Sequence, residues 1–190
     1  MSPRRAFLDA CVLYPPLVRG LLLSAAVEGL LIPLWSPRVA EEWARASLRD
    51  LGPPAANAAR AEAALMARRW PEGLAEPETT LPPLDLPDPD DVHVLAAALA
   101  ARADLLVTFN LRDFPAPKLR GLGLAPIHPD ALLWELAGQA PEALSRALAR
   151  ALTPFPHLAE NAPQTVRALR RAGLPRLAKL LRAGQLTPES

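Results

Sequence analysis

The chain of 190 residues, 51% of them hydrophobic, is long enough for one ordinary core with a short appendage, and its single cysteine, Cys11, excludes an intrachain disulfide. A net charge of +1 hides a polarity: residues 1–140 hold 13 Lys and Arg against 17 Asp and Glu, while residues 141–190 hold 8 against 3. The apolar stretch 17–35 is interrupted by Arg19, Glu28 and Pro33, and the first twenty residues lack the apolar core of a secretion signal, so a cytoplasmic protein without a membrane span is expected.

Residues 5–9 predict a short buried strand, Ala-Phe-Leu closed by Asp9. Pro15-Pro16 opens a helix over 17–30, where a proline in the first turn removes no needed donor. Residues 32–35 form a second strand, and Ser36-Pro37 caps a helix over 37–50 that Gly52-Pro53 stops. A third helix covers 55–69, followed by a proline-rich loop over 71–89 with room for one short strand. Asp88-Pro89-Asp90-Asp91 starts the helix HVLAAALAAR, where acids suit the positive end of the helix dipole. Strands are expected at 105–109 and 124–128, a helix from His128-Pro129-Asp130 to residue 137, and three more helices over 141–152, 161–172 and 174–183. Strands alternating with helices imply an α/β layer fold with a mostly parallel sheet, whose sites form at the carboxyl ends of the strands.

That rule selects the acids. Asp9 ends the first strand, although a cap would also suit it. Glu41 and Glu42 flank the core candidate Trp43, and helical spacing lets one of them face a site without saying which. Asp88, Asp90 and Asp91 place three carboxylates in four residues, more than capping needs, and a cation relieves such crowding. Asn110 and Asp113 follow the strand at 105–109, where an Asx turn is the plain alternative. An all-oxygen donor set suits Mg²⁺ or Mn²⁺, which activate water and hold phosphate oxygens. No zinc-type Cys/His spacing and no glycine-rich phosphate loop occurs. His93, His128 and Cys11 read as structural residues, and the four tryptophans as core or interface.

The runs FLDACVLY (7–14), WSPRVAEEW (35–43), LPDPDDVHVLAAAL (86–99) and LVTFNLRDFP (106–115) resemble the PIN-domain family, in particular the VapC-like toxins of bacterial toxin–antitoxin pairs. HPDALL (128–133) and GLPRLAKLL (173–181) resemble the tail of the same subfamily. The resemblance implies a three-layer α/β/α fold with a central, mostly parallel sheet, a PIN-like nuclease domain over 1–137 and a helical C-terminal extension over 138–190 packed on or next to it. It implies a catalytic set of Asp9, Glu42, Asp91 and Asp113, with Asp9, Asp91 and Asp113 as ligands of Mg²⁺ or Mn²⁺. Thr108, Asn110 and Arg19 would support them. Asn110 departs from the family, which often carries an aspartate there, and so puts a second metal in question. The implied activity is cleavage of RNA, often by a homodimer, with an antitoxin protein as partner. Arginines of the basic helices, such as Arg146, Arg150, Arg167 and Arg171, would meet phosphates or that partner. Two other readings stand beside this one. A haloacid-dehalogenase-type phosphatase needs an acid where Cys11 stands. A non-catalytic PIN-like module that binds RNA or protein takes its support from Asn110.

Overall fold

The structure, a computed structural model, describes residues 2–75 and 86–187. In chain order the elements are β1 (Arg4–Leu8), α1 (Ala10–Leu13), α2 (Pro16–Val27), β2 (Leu31–Leu34), α3 (Pro37–Leu51) and α4 (Pro53–Arg69). After 3-10 turns at Pro71–Gly73 and Pro89–Asp91 come α5 (Val92–Ala100), β3 (Leu105–Val107), α6 (Ala116–Arg120) and β4 (Ala125–Ile127). The remaining helices are α7 (Pro129–Gln139), α8 (Pro141–Leu152), α9 (Pro156–Ala159), α10 (Ala162–Arg171) and α11 (Pro175–Arg182). Prolines sit in the first turn of nearly every one of these helices, where their fixed φ fits and their missing N–H is not needed. Of the region expected to be loop, residues 76–85 lie outside the described residues.

Contacts divide the chain into two compact units, a sheet unit of Arg4–Tyr14 with Ile32–Ile127 and a helical unit of Met1–Pro3, Pro15–Leu31 and His128–Ser190. The sheet is parallel, with strand order β2-β1-β3-β4. Its α/β class and parallel centre are those of the three-layer PIN-like fold that the sequence implied. The apolar parts of the central strands are buried on both faces: Ala6, Phe7 and Leu8 have no exposed surface, nor have Leu106 and Val107. Register pairs Phe7 with Leu106 and Leu8 with Val107, and pairs Leu106 in turn with Pro126. The prolines Pro33 and Pro126 fall on β2 and β4, the two edge strands, where a missing N–H breaks no ladder.

One close approach fixes a glycine. Trp35 donates its N–H to the Gly73 carbonyl at 2.9 Å and accepts from Ala75 N at 2.7 Å, which makes a parallel bridge between Trp35 and Leu74. A Cβ on Gly73 would stand 2.6 Å from the Pro33 carbonyl oxygen and 2.6 Å from the Trp35 ring.

One strand and three short helices differ from expectation. The strand expected over 105–109 ends at Val107, because the Thr108 hydroxyl accepts from Asn110 N at 3.0 Å and turns the chain. The short helices α1, α6 and α9 are too brief to show a period in the sequence. Of the tryptophans read as core or interface, Trp35 and Trp43 are buried and Trp134 is exposed.

In the helical unit, α2 meets α8 at a small-residue contact, with space for a Gly20 Cβ only at 3.7 Å from the Ala151 Cβ. Glu28, at the end of α2, accepts from Arg146 Nε at 2.8 Å and from Arg150 Nη2 at 3.0 Å, both on α8. The Arg146 hydrogen bond, ahead of Arg150, holds the Glu28 carboxyl below its usual range against the opposing effect of burial. His128 caps α7, its Nδ1 accepting from Asp130 N at 3.1 Å. Asp130, buried at 4% exposure, accepts from Arg176 N at 3.0 Å and Leu177 N at 3.1 Å and so caps α11. Replacement of Asp130 by Ala strands both amides in a buried place. It should lower unfolding free energy by about 2 kcal/mol, read as a lower urea midpoint at unchanged slope, with Asp130→Asn recovering part of the loss.

Candidate active site

Parallel pairing of β1 and β3 brings their carboxyl ends side by side, and the site begins where the ladder stops. Asp9 N donates to the Val107 carbonyl at 3.1 Å, one step past the last strand residue. The Asp9 side chain is 8% exposed, and a carboxylate so far out of water needs donors. It finds two. Thr108 Oγ1 donates to Asp9 Oδ2 at 2.7 Å, and Cys11 Sγ donates to the same oxygen at 3.0 Å. Burial, then the Asp9 charge, push the Cys11 thiol up to about 12, so it remains a protonated donor at neutral pH.

Asp113 sits on the turn after β3. The Asn110 amide donates to its Oδ2, and Asp113 N donates to the Asn110 carbonyl at 3.3 Å. Asp91 ends the 3-10 turn that leads into α5. Its neighbour Asp88 acts as a cap, accepting from Asp90 N at 2.9 Å. The Asp91 carboxyl is pushed up to about 6, by burial first and then by the negative charges of Asp9, Asp88 and Asp113, with His93 opposing. Asp9, Asp88 and Asp113 therefore each act on Asp91. No three His, Cys, Asp or Glu side chains among the described residues converge tightly enough to hold a metal ion as they stand.

The two glutamates of α3 part company. Glu41 pairs with Arg60 at 2.8 Å and Arg45 at 3.5 Å, a surface role. Glu42 Oε1 meets His93 Nε2 at 2.8 Å and Arg38 Nε at 3.3 Å. Burial works to raise the Glu42 carboxyl, but His93 and then Arg38 outweigh it and hold it below its usual range. His93 lies on α5, the helix that begins just after Asp91, so it ties Glu42 to the helix of a second acid. Its Nδ1 is buried with no partner among the described residues.

Arg19, expected near Asp9, belongs to α2 in the helical unit and not to the unit that carries the acids. Two residues of this site were read from the sequence as structural. Cys11 looked like core because one thiol after an acid has no spacing signal, and His93 looked like a helix histidine because its partner is 51 positions away. Within the tail, Arg146 and Arg150 are engaged by Glu28. No described helix is long and apolar enough to cross a membrane.

Comparison with known proteins covers most of the sheet unit and α2 with it. A family model described as "PIN domain" matches residues 5–112. A 43-residue stretch is 46% identical to a Mycobacterium tuberculosis protein named "Putative ribonuclease VapC50". The stretch covers 23% of this chain and 25% of that protein, so the likeness spans about a quarter of the relative's length. No solved structure matches the chain.

The pairing of His93 with Glu42 has a titration signature. Removal of His93 takes away the larger of the two lowering effects and leaves burial opposed by Arg38 alone, so the Glu42 midpoint should rise in His93→Ala. Carboxyl carbon NMR of glutamate-labelled protein reads this directly, and a midpoint that does not move would show that His93 does not hold Glu42.

Proposed function

The chain belongs to the PIN-domain family, and on that premise we propose that it is a divalent-metal-dependent ribonuclease that hydrolyses RNA phosphodiester bonds, the toxin of a type II toxin–antitoxin pair. One observation carries the reading: Asp9 and Asp113, which follow β1 and β3 at their paired carboxyl ends, both place their negative charge on Asp91. Mutual repulsion of this kind is what a bound cation offsets, and the donors are all oxygens, the chemistry that Mg²⁺ and Mn²⁺ prefer.

Asp9, Asp91 and Asp113 would hold the ion. When bound it supplies Lewis-acid polarisation of a phosphate oxygen and acidification of a water. The chain does the rest. Glu42, held ionised by His93 and Arg38 on Oε1, keeps Oε2 without a partner among the described residues and able to take a proton from the attacking water. Thr108 orients Asp9. Asn110 neutralises a position near Asp113 and engages that acid, which favours one ion over two. Arg167, Arg170, Arg171, Arg176, Lys179 and Arg182 are left to meet phosphates or an antitoxin once Arg146 and Arg150 are engaged by Glu28. A homodimer in the cytoplasm completes the reading.

Purified protein should cut labelled single-stranded RNA with Mn²⁺ or Mg²⁺, not with EDTA, and Asp91→Ala should not cut. Equal cutting by both proteins would place the activity elsewhere. RNA bound without cutting under any metal would favour the non-catalytic module, for which Asn110 and its hold on Asp113 speak.

A further inference from the structure

Two hydrogen-bond chains converge on a single oxygen. Phe109 N donates to Cys11 Sγ at 3.3 Å, and Cys11 Sγ donates to Asp9 Oδ2 at 3.0 Å. Asn110 N donates to Thr108 Oγ1 at 3.0 Å, and Thr108 Oγ1 donates to Asp9 Oδ2 at 2.7 Å. Sγ and Oγ1 stand 3.3 Å apart, so the two chains run side by side. Consecutive backbone amides of the turn after β3 thus reach the Asp9 carboxylate through one thiol and one hydroxyl. Oδ1 of Asp9 has no hydrogen-bond partner among the described residues, and it is not sealed from solvent.

We propose that Cys11 is a positioning residue that, together with Thr108, occupies Oδ2 of Asp9 and reserves Oδ1 for a divalent cation. The inference rests on the metal-dependent reading above. Its logic is geometric. A carboxylate with one oxygen saturated by two donors cannot rotate to offer both oxygens, so it binds an ion through one oxygen in a fixed direction. The same two chains fasten the turn that bears Asn110 and Asp113 to the end of β1. A shift of Asp9 therefore moves the platform of a second acid as well. Of the two donors only Thr108 is placed to act without the thiol, so loss of Cys11 leaves Asp9 held at one point and free to swing about that bond.

The test uses Mn²⁺ as probe and the full chain. Calorimetric titration of wild type, Cys11→Ala, Cys11→Ser and Thr108→Val reads the affinity without catalysis. Hydrogen exchange at the Phe109 amide reads the clamp without metal. Cys11→Ala should bind Mn²⁺ about tenfold more weakly and exchange the Phe109 amide faster, while Cys11→Ser, which keeps a donor, should restore both. In RNA cleavage the loss should fall on kcat at fixed metal, with KM for RNA unchanged. Thr108→Val should weaken Mn²⁺ in the same direction, which keeps the test open if Cys11→Ala does not fold. Wild-type affinity and a slow Phe109 amide in Cys11→Ala overturn the proposal while the nuclease reading stands. So does a Cys11→Ser variant as weak as Cys11→Ala. Wild type that binds no Mn²⁺ overturns the nuclease reading and this proposal with it.

Discussion

A carboxylate that is 8% exposed, just after the buried Ala-Phe-Leu of β1, is costly unless it is held, and the arrangement of the sheet unit follows from holding it. Register does the work. Leu8 opposite Val107 sets Asp9 beside Thr108, and a slip of one residue would send every side chain of the strand to the other face. The all-apolar sequences Ala-Phe-Leu and Leu-Leu-Val carry no alternation that could specify this register by themselves. The hydrogen bond from Thr108 to Asp9 is therefore both a product of the pairing and a reason for it.

The acids of this chain fall into two chemical groups. Asp130, Glu28, Glu41 and Asp88 each end on backbone amides or arginines, and each fastens one element to another or closes a turn. Asp91 faces three carboxylates of its own sign, opposed by His93 alone. Folded chains avoid that condition where they can, so Asp91 is the described acid that contributes least to holding the fold and, on the proposed reading, the one a cation would relieve. Glu42 stands between the groups, partnered by a histidine and an arginine yet half-buried beside the helix of Asp91.

Much of this was legible before any coordinates. The alternation of elements, the helix starts at proline and the positions of Asp9, Asp91 and Asp113 after strands or at a helix start follow from local rules. What was not legible depends on contacts far apart in the chain. Spacing left Glu41 and Glu42 equivalent, and the approach of α4 to the one and α5 to the other separates them. Cys11 is two residues from Asp9, but its second link runs to Phe109, 98 positions on. Asp130 reads as an ordinary first-turn acid, yet it caps a helix 46 positions later. The grouping of α2 with the last helices rather than with its sequence neighbours likewise has no local signature.

That grouping shapes how the chain emerges from the ribosome. The two arginines that hold Glu28 lie 118 and 122 positions later. At roughly 5–20 residues per second, α2 waits on the order of ten seconds before α8 exists. During that interval Leu17, Val18, Leu21 and Leu22, all buried in the finished protein, lack the helix they will pack against. The helical unit can close only after the residues of the sheet unit have been made, an ordering in time imposed by connectivity alone.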